Sequence, residues 1–268
     1  MKTNFHTHST WCDGRNTTGE MAQAAIDKGF SALGFSSHAL LPGRQDGMLS
    51  PETIADYAAE VRALRDGLRG EIDVYLGVEA DYVPGFATPS KAAYAHLGLD
   101  YMIGSVHFVA RGGAHYPVDH SPEALERGIA EGFGGDGGAF VRAYFAAERE
   151  MVAGFDFDVV GHPDLVRKFN ARRPWFDESA PWYEEELVAT ADAIAASGKI
   201  VEVNTGAISR GWLDDAYPSP RFRALLRERG VRFVLSSDAH AASALDCAFD
   251  RFADAEDYVG VEALVVSG

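Results

Sequence analysis

The chain has 268 residues, enough for one large α/β domain or two small ones, and its 47% hydrophobic and 24% charged residues are ordinary for a soluble globular protein. Its net charge of −16 disfavours a long basic track for a nucleic-acid backbone, although bound cations could still attract a small anionic substrate. Two cysteines provide no disulfide framework, and we find no secretory leader and no apolar run long enough to cross a bilayer. Composition therefore predicts a cytoplasmic protein that does not enter a membrane.

Short apolar runs alternate with helical stretches along the chain. The predicted strands are Thr3–His8, Ala32–Ser37, Asp73–Glu79, Tyr101–His107, Phe157–Gly161, Lys199–Asn204 and Arg232–Ser237. Strands separated by helices pair in parallel through right-handed crossovers, and seven such units favour a closed barrel over an open sheet. The first helix is predicted from a capping box at Thr17 and Glu20, and the second is predicted to begin at Ser50-Pro51. The Gly-rich segment from 111 to 138 is expected to be an irregular insertion over the site.

Six of the nine histidines, with three carboxylates, stand where predicted strands end. These residues are His6, His8, His38, His107, His162 and His240, together with Asp13, Glu79 and Asp238. Residues two apart on a strand share a face, a spacing that His6 and His8 show and that Asp238 and His240 repeat. In a parallel barrel all the carboxyl ends of the strands open on one side, so these side chains should converge. One such histidine alone is better explained as a core or rim residue, but the whole set predicts a site for more than one metal ion.

The order of these residues resembles the PHP (polymerase and histidinol phosphatase) family, in which His-x-His, an early Asp or His, then His, Glu, His, His and Asp-x-His follow one another. The resemblance covers almost the whole chain and implies that residues 1–268 form a single domain, a distorted (β/α)7 barrel with the metal site at the C-terminal ends of the strands. It implies one ion held by His6, His8, Glu79 and Asp238, a second held by Glu79, His107 and His162, and a third held by Asp13, His38 and His240. Many members carry His at the place of Asp13, but a carboxylate also binds zinc, iron or manganese. We therefore expect two to three divalent metal ions (Zn, Fe or Mn).

Divalent ions generate hydroxide at neutral pH and clamp phosphate oxygens, so hydrolysis of a phosphate ester is the expected reaction. Arg167 and Arg210 follow predicted strands on the same side of the barrel, either as phosphate contacts or as solvated loop residues, while Arg44 is a weaker candidate and Lys168 is expected to face away. The later motifs resemble those of the monofunctional histidinol-phosphate phosphatases, which favours the phosphate role for both arginines. These motifs are Gly104–Phe108, Tyr116–Asp119, His162–Arg167, Val201–Gly206, Ala216–Pro218 and Ser236–His240. The same resemblance places Asp119 near the substrate's ammonium or imidazole, although a turn residue explains it equally well.

The leading hypothesis is hydrolysis of L-histidinol phosphate, a small phosphorylated substrate, by a metal-activated hydroxide in histidine biosynthesis. One alternative keeps the metals but changes the substrate: a PHP nuclease or nucleotide phosphoesterase acting on short oligonucleotides or a 3′,5′-bisphosphate. A second alternative is a non-catalytic metal-binding or regulatory PHP module. The acidic composition argues against long nucleic acids but not against short ones.

Overall fold

A computed structural model describes residues 1–41, 47–252 and 258–260. Nine strands, β1 to β9, are present in these residues: Thr3–Asn4, Ala32–Phe35, Asp73–Asp81, Tyr101–Ser105, Phe108–Arg111, Ala114–Pro117, Val159–Val160, Ile200–Asn204 and Phe233–Ser236. Seven of them form one sheet in the order β1-β2-β3-β4-β7-β8-β9, and every pair of neighbours in it is parallel. The seven predicted strands and their parallel pairing are thus confirmed.

The sheet closes on itself near the carboxyl ends of its strands. Beyond β1 and β9, Thr7 and Ala239 form a parallel bridge. The amide of His8 donates to the carbonyl of Ala239 at 2.9 Å, and the amide of Ala239 donates to the carbonyl of His6 at 3.2 Å. The expected distorted (β/α)7 barrel is therefore confirmed, and its closure joins the two chain segments that carry His-x-His and Asp-x-His.

The floor of the barrel is a small apolar cluster in which Tyr101 is the central side chain. This cluster consists of Phe5, Ala32, Tyr101, Ile103, Val159, Ile200 and Val234. The Tyr101 hydroxyl donates to the carbonyl of Phe5 at 2.6 Å. A Cβ at Gly34 or Gly77 would lie 2.4 Å from the Tyr101 side chain, so glycine is needed at both positions to admit the ring. Along each strand every second side chain points outward, away from this cluster. These outward side chains pack beneath the helices in the larger core cluster.

The seven helices of the described residues, α1 to α7, are Thr18–Asp27, Ile54–Gly67, Pro122–Phe133, Gly137–Gly154, Pro181–Ser197, Gly206–Ser209 and Pro220–Glu228. The predicted capping box of α1 is present: Thr17 accepts from the amide of Glu20, whose side chain accepts from the amide of Thr17. The predicted start of α2 was wrong. Ser50 and Thr53 form a turn ahead of the helix, which begins only at Ile54. Of the helices in the described ranges, none is both long and apolar enough to cross a membrane.

The segment from 111 to 138 is more regular than its glycine content predicted. β5 and β6 form an antiparallel hairpin whose turn is Gly112 and Gly113, both with positive φ. α3 begins after Ser121, which accepts from the amide of Ala124, and ends at Gly134 in the left-handed conformation. The glycines therefore mark the turns between elements, where positive φ is needed, and not a structureless insertion.

Candidate metal centre

The nine predicted metal ligands lie together at the carboxyl ends of the barrel strands. They fall into four overlapping groups whose nitrogen and oxygen atoms lie within 4.8 Å of one another: His8, Asp13, His38 and His240; His6, His8 and Asp238; His6, Glu79 and His162; and His38, Glu79 and His107. Each group combines imidazole with carboxylate, the donor set that zinc, iron and manganese accept. The described part of the chain can thus hold metal ions at several adjoining positions.

Glu79, on β3, is the centre of this cluster, and its two carboxylate oxygens face different histidines. Oε2 lies 3.2 Å from His6 Nε2, 3.6 Å from His8 Nε2 and 3.1 Å from His38 Nδ1. Oε1 lies 3.0 Å from His162 Nε2 and 3.5 Å from His107 Nε2. A carboxylate with a different set of nitrogens on each oxygen has the geometry to bridge two cations.

Asp238 and Asp13 supply oxygens on the remaining sides of the cluster. Asp238 Oδ1 lies 3.2 Å from His8 Nε2, and Asp13 Oδ2 lies 3.1 Å from His240 Nε2. The side chain of Asp13 is 41% exposed, whereas that of His8 is fully buried. The group that contains Asp13 is therefore the one most open to solvent.

Charges within the cluster keep two of its carboxyl groups ionised. Burial raises the pKa of the Glu79 carboxyl, but the charges of His6, His38 and His107 outweigh it and hold that pKa well below its usual range. Burial has the same effect on the pKa of Asp238, where Arg210 and then His6 outweigh it and lower the pKa. Both carboxylates are therefore ionised and available as ligands.

Of the buried ring nitrogens of the cluster that lack a hydrogen-bond partner, three face Glu79: His6 Nε2, His8 Nε2 and His38 Nδ1. All three lie 3.1 to 3.6 Å from Glu79 Oε2. Metal–nitrogen and metal–oxygen bonds of about 2.1 Å in tetrahedral geometry place neighbouring ligand atoms about 3.4 Å apart. The buried nitrogens and their spacing therefore fit divalent cations.

Two carboxylates that the sequence interpretation did not select stand behind the histidines. Asp81 Oδ1 lies 2.6 Å from His107 Nδ1, and Glu202 Oε2 lies 2.8 Å from His6 Nδ1. A carboxylate on one ring nitrogen orients the histidine and leaves the other nitrogen for a metal. Asp81 follows Glu79 by two positions on the same strand face, and Glu202 interrupts the apolar run of β8 at an inward position. These two positions in the sequence were the signals by which Asp81 and Glu202 could have been predicted.

The cluster opens into a cavity of about 600 Å³. Its wall includes Lys168, Arg210, Asp119 and His120. Phe108 and Pro117, which pair at the base of the β5–β6 hairpin, also line it. The predicted substrate residues Arg210 and Asp119 thus line the cavity. Arg210 is held against the cluster, because its Nη2 donates to Asp238 Oδ2 at 2.7 Å.

Arg167 and Lys168 are placed differently from the sequence expectation. Arg167 is not part of the cavity wall; its Nε donates to Glu178 at 2.6 Å, and its Nη1 lies 3.5 Å from Asp164. Lys168, expected to face away, lines the cavity. The reversal arises because residues 165–167 form a single 3-10 turn, which directs neighbouring side chains to different sides. Arg44 lies outside the described residues.

Comparison with known proteins agrees with this architecture. The model of the PHP domain family matches residues 4–206. A Deinococcus radiodurans protein named "Probable histidinol-phosphatase" is 33% identical over 256 residues, which cover 93% of this chain and 89% of that protein. A solved structure of a Listeria monocytogenes protein assigned as a histidinol phosphatase has a TM-score of 0.83 at 20% identity, covering 94% of this chain and 100% of that one. The structure of a histidinol phosphate phosphatase from Lactococcus lactis has a TM-score of 0.68 at 22% identity, covering 90% and 87%. Since the family model spans most of the sequence, the protein belongs to the PHP domain family.

Proposed function

We propose that this protein is a metal-dependent phosphomonoesterase that hydrolyses L-histidinol phosphate to L-histidinol and phosphate. The observation that carries the proposal is the bridging geometry of Glu79, whose two oxygens face separate sets of histidines beside a cavity with two cationic side chains. The name of the Deinococcus radiodurans relative supports this substrate. So does the Lactococcus lactis structure, a complex with zinc, L-histidinol and phosphate.

Two to three divalent ions, zinc, iron or manganese, are proposed to be held by the nine clustered residues. We assign one ion to His6, His8, Glu79 and Asp238, a second to Glu79, His107 and His162, and a third to Asp13, His38 and His240. The cluster geometry supports this division, because Glu79 Oε2 faces His6 and His8 whereas Oε1 faces His107 and His162. When bound, such ions lower the pKa of a coordinated water and offset the negative charge of a phosphate.

The residues of the cavity wall are proposed to bind and orient the substrate. Lys168 and Arg210 present charged N–H groups that suit phosphate oxygens. Lys168 takes the role first expected of Arg167, whose guanidinium is engaged by Glu178 and Asp164. Asp119 carries a negative charge on the same wall and is proposed to bind the ammonium or the imidazole of the substrate.

The wider setting belongs to the same proposal. We propose that residues 1–268 form one PHP-type barrel domain. We also propose that the protein acts in histidine biosynthesis in the cytoplasm, and that its substrate is a small phosphorylated molecule and not long nucleic acid. The presence of only two cysteines supports the cytoplasmic location. The net charge of −16 supports a small substrate over long nucleic acid.

Substrate competition tests the proposal. The metal-loaded protein is assayed with L-histidinol phosphate, 4-nitrophenyl phosphate, a nucleoside 3′,5′-bisphosphate and a short oligonucleotide. We expect kcat/KM for L-histidinol phosphate to exceed the others by at least about 100-fold, because a site that pairs the polar groups of its substrate rejects molecules that lack them. If the bisphosphate or the oligonucleotide were the best substrate, the nuclease alternative would replace this proposal. The absence of hydrolysis with every substrate would favour the non-catalytic module.

A further inference from the structure

Glu202 is a fully buried carboxylate on β8 that lies directly behind the metal centre. Its oxygens lie 2.8 and 3.1 Å from His6 Nδ1. Its Oε1 also accepts from the backbone amide of His162 at 2.9 Å and from the side-chain amide of Asn204 at 2.8 Å. One carboxylate therefore holds two of the proposed metal ligands, one by its ring and one by its backbone.

These two ligands face opposite oxygens of Glu79. His6 Nε2 lies 3.2 Å from Oε2, whereas His162 Nε2 lies 3.0 Å from Oε1. Glu79 thus joins the two sides of the centre from within, and Glu202 joins them from behind. The relative placement of these two proposed ligands therefore depends on both carboxylates.

Each contact has its own physical consequence. A proton on His6 Nδ1, donated to Glu202, leaves the Nε2 lone pair directed at the centre. His162 is a non-glycine residue with φ of 23°, an unfavourable backbone conformation that has to be held by its surroundings. The hydrogen bond from its amide to Glu202 supplies such a restraint.

From these contacts we infer that Glu202 is a positioning residue that couples the two metal positions bridged by Glu79, fixing the tautomer of His6 and the backbone of His162 at once. The inference rests on the ligand assignment made under the proposed function. Asp81 provides the contrast, because its contact with His107 reaches a ligand on the Oε1 side of Glu79 only.

The test uses the 268-residue chain, freed of metal by a chelator and titrated with Zn²⁺ by calorimetry, with metal content measured after dialysis. Glu202→Gln presents an amide N–H to His6 and so favours the wrong tautomer, while the remaining oxygen binds the His162 amide less strongly than a carboxylate does. We expect about a 10- to 100-fold loss of affinity at the first position and a loss of about 5-fold at the second. The matched variant Asp81→Asn is expected to weaken one position only.

Nitrogen-15 spectra of histidine-labelled protein add a readout that general destabilisation would not change. In the presence of zinc we expect wild-type His6 to carry its proton on Nδ1 and to bind zinc through Nε2. In Glu202→Gln at the same zinc concentration, we expect His6 with its proton on Nε2 and without zinc. If Glu202→Gln is poorly folded, Glu202→Asp takes its place in the titration. This variant keeps the charge but is one methylene too short to reach both ligands, so we expect weaker zinc binding at one or both positions. Unchanged affinities in a folded variant whose wild type binds two or more ions would overturn the inference and leave the proposed function intact. A wild type that binds no Zn²⁺ tightly would instead overturn the ligand assignment itself.

Discussion

The ammonium of Lys168 donates to both the backbone carbonyl and the carboxylate of Asp119, at 2.9 and 3.0 Å. Both residues line the cavity beside the metal centre. Burial raises the pKa of the Asp119 carboxyl, but Lys168 and then His107 outweigh it and lower that pKa below its usual range. The pair therefore presents one positive and one negative charge side by side, which complements a substrate that carries both a phosphate and an ammonium group.

The first prediction separates Lys168 from its neighbour Arg167. Lys168→Met is expected to raise KM for the phosphate ester about 10- to 100-fold, because a hydrogen bond to a charged group contributes about 1.5–3 kcal/mol. Zinc content is expected to stay unchanged, since Lys168 belongs to none of the clustered groups. Steady-state kinetics and metal analysis of the purified variant check both statements.

Arg167→Met is the matched control and is expected to act on stability. The Arg167 guanidinium is mostly buried between Glu178 and Asp164. Its loss therefore leaves the buried carboxylate of Asp164 without its cationic partner. Removing one member of a buried pair costs about 3 kcal/mol or more, which urea unfolding would detect. A KM increase in Arg167→Met with none in Lys168→Met would return the phosphate contact to Arg167.

The second prediction concerns the group most open to solvent. Asp13→Ala is expected to lower the metal content by about one ion per chain, because only His38 and His240 then remain of the three residues proposed to hold the third ion. Asp13→His is expected to restore it, since imidazole binds the same ions. Elemental analysis after dialysis decides the matter, and an unchanged content in Asp13→Ala would remove Asp13 from the ligand set.

The third prediction tests the space around Arg210. A Cβ at Gly206 would lie 2.5 Å from Arg210 Nη2 and 2.9 Å from Asp238 Oδ2, so Gly206→Ala must displace the guanidinium. We expect KM for the phosphate ester to rise at least about 10-fold, because the displaced guanidinium loses its charged contact with the substrate phosphate. Gly19→Ala is the control, because a Cβ there meets nothing within 4 Å and its helix should gain about 0.5–1 kcal/mol. Equal kinetics in both variants would show that Arg210 does not bind substrate.

The fourth prediction concerns Glu148, a fully buried carboxyl on α4 whose Oε1 accepts from Tyr144 at 2.7 Å. Burial raises its pKa well above 4.5, so the folded protein keeps a proton that the unfolded chain releases above about that pH. The stability that this group contributes is therefore complete at lower pH and is lost as the pH rises through the folded pKa. Glu148→Gln is neutral throughout.

Urea unfolding at pH 5 and pH 8 checks this sign. Relative to the wild type, Glu148→Gln is expected to be more stable at pH 8 than at pH 5. Glu131→Gln, at an exposed position on α3, is expected to show no such change with pH. A wild type and a Glu148→Gln variant with parallel pH profiles would mean that Glu148 is ionised in the folded protein.

The sequence predicted the parallel barrel and its seven strands because strand ends and helix caps are local signals. Thr17 and Glu20 show this at the start of α1. It could not predict which of Arg167 and Lys168 faces the cavity, since one 3-10 turn sets their directions and has no periodic pattern. The contact of Glu202 with His6 joins residues 196 positions apart and depends on barrel closure, which no local pattern encodes.

The bridge between Thr7 and Ala239 has a consequence for how the centre is made. Asp13 and His240 lie 227 positions apart, and contacts of such separation form slowly because a long loop must close first. During synthesis, a chain that has not yet added Asp238 and His240 lacks one proposed ligand of the first metal position and one of the third. The full centre is therefore completed late, after the last barrel strand docks against the first, and full metal loading is expected to report that the barrel has closed.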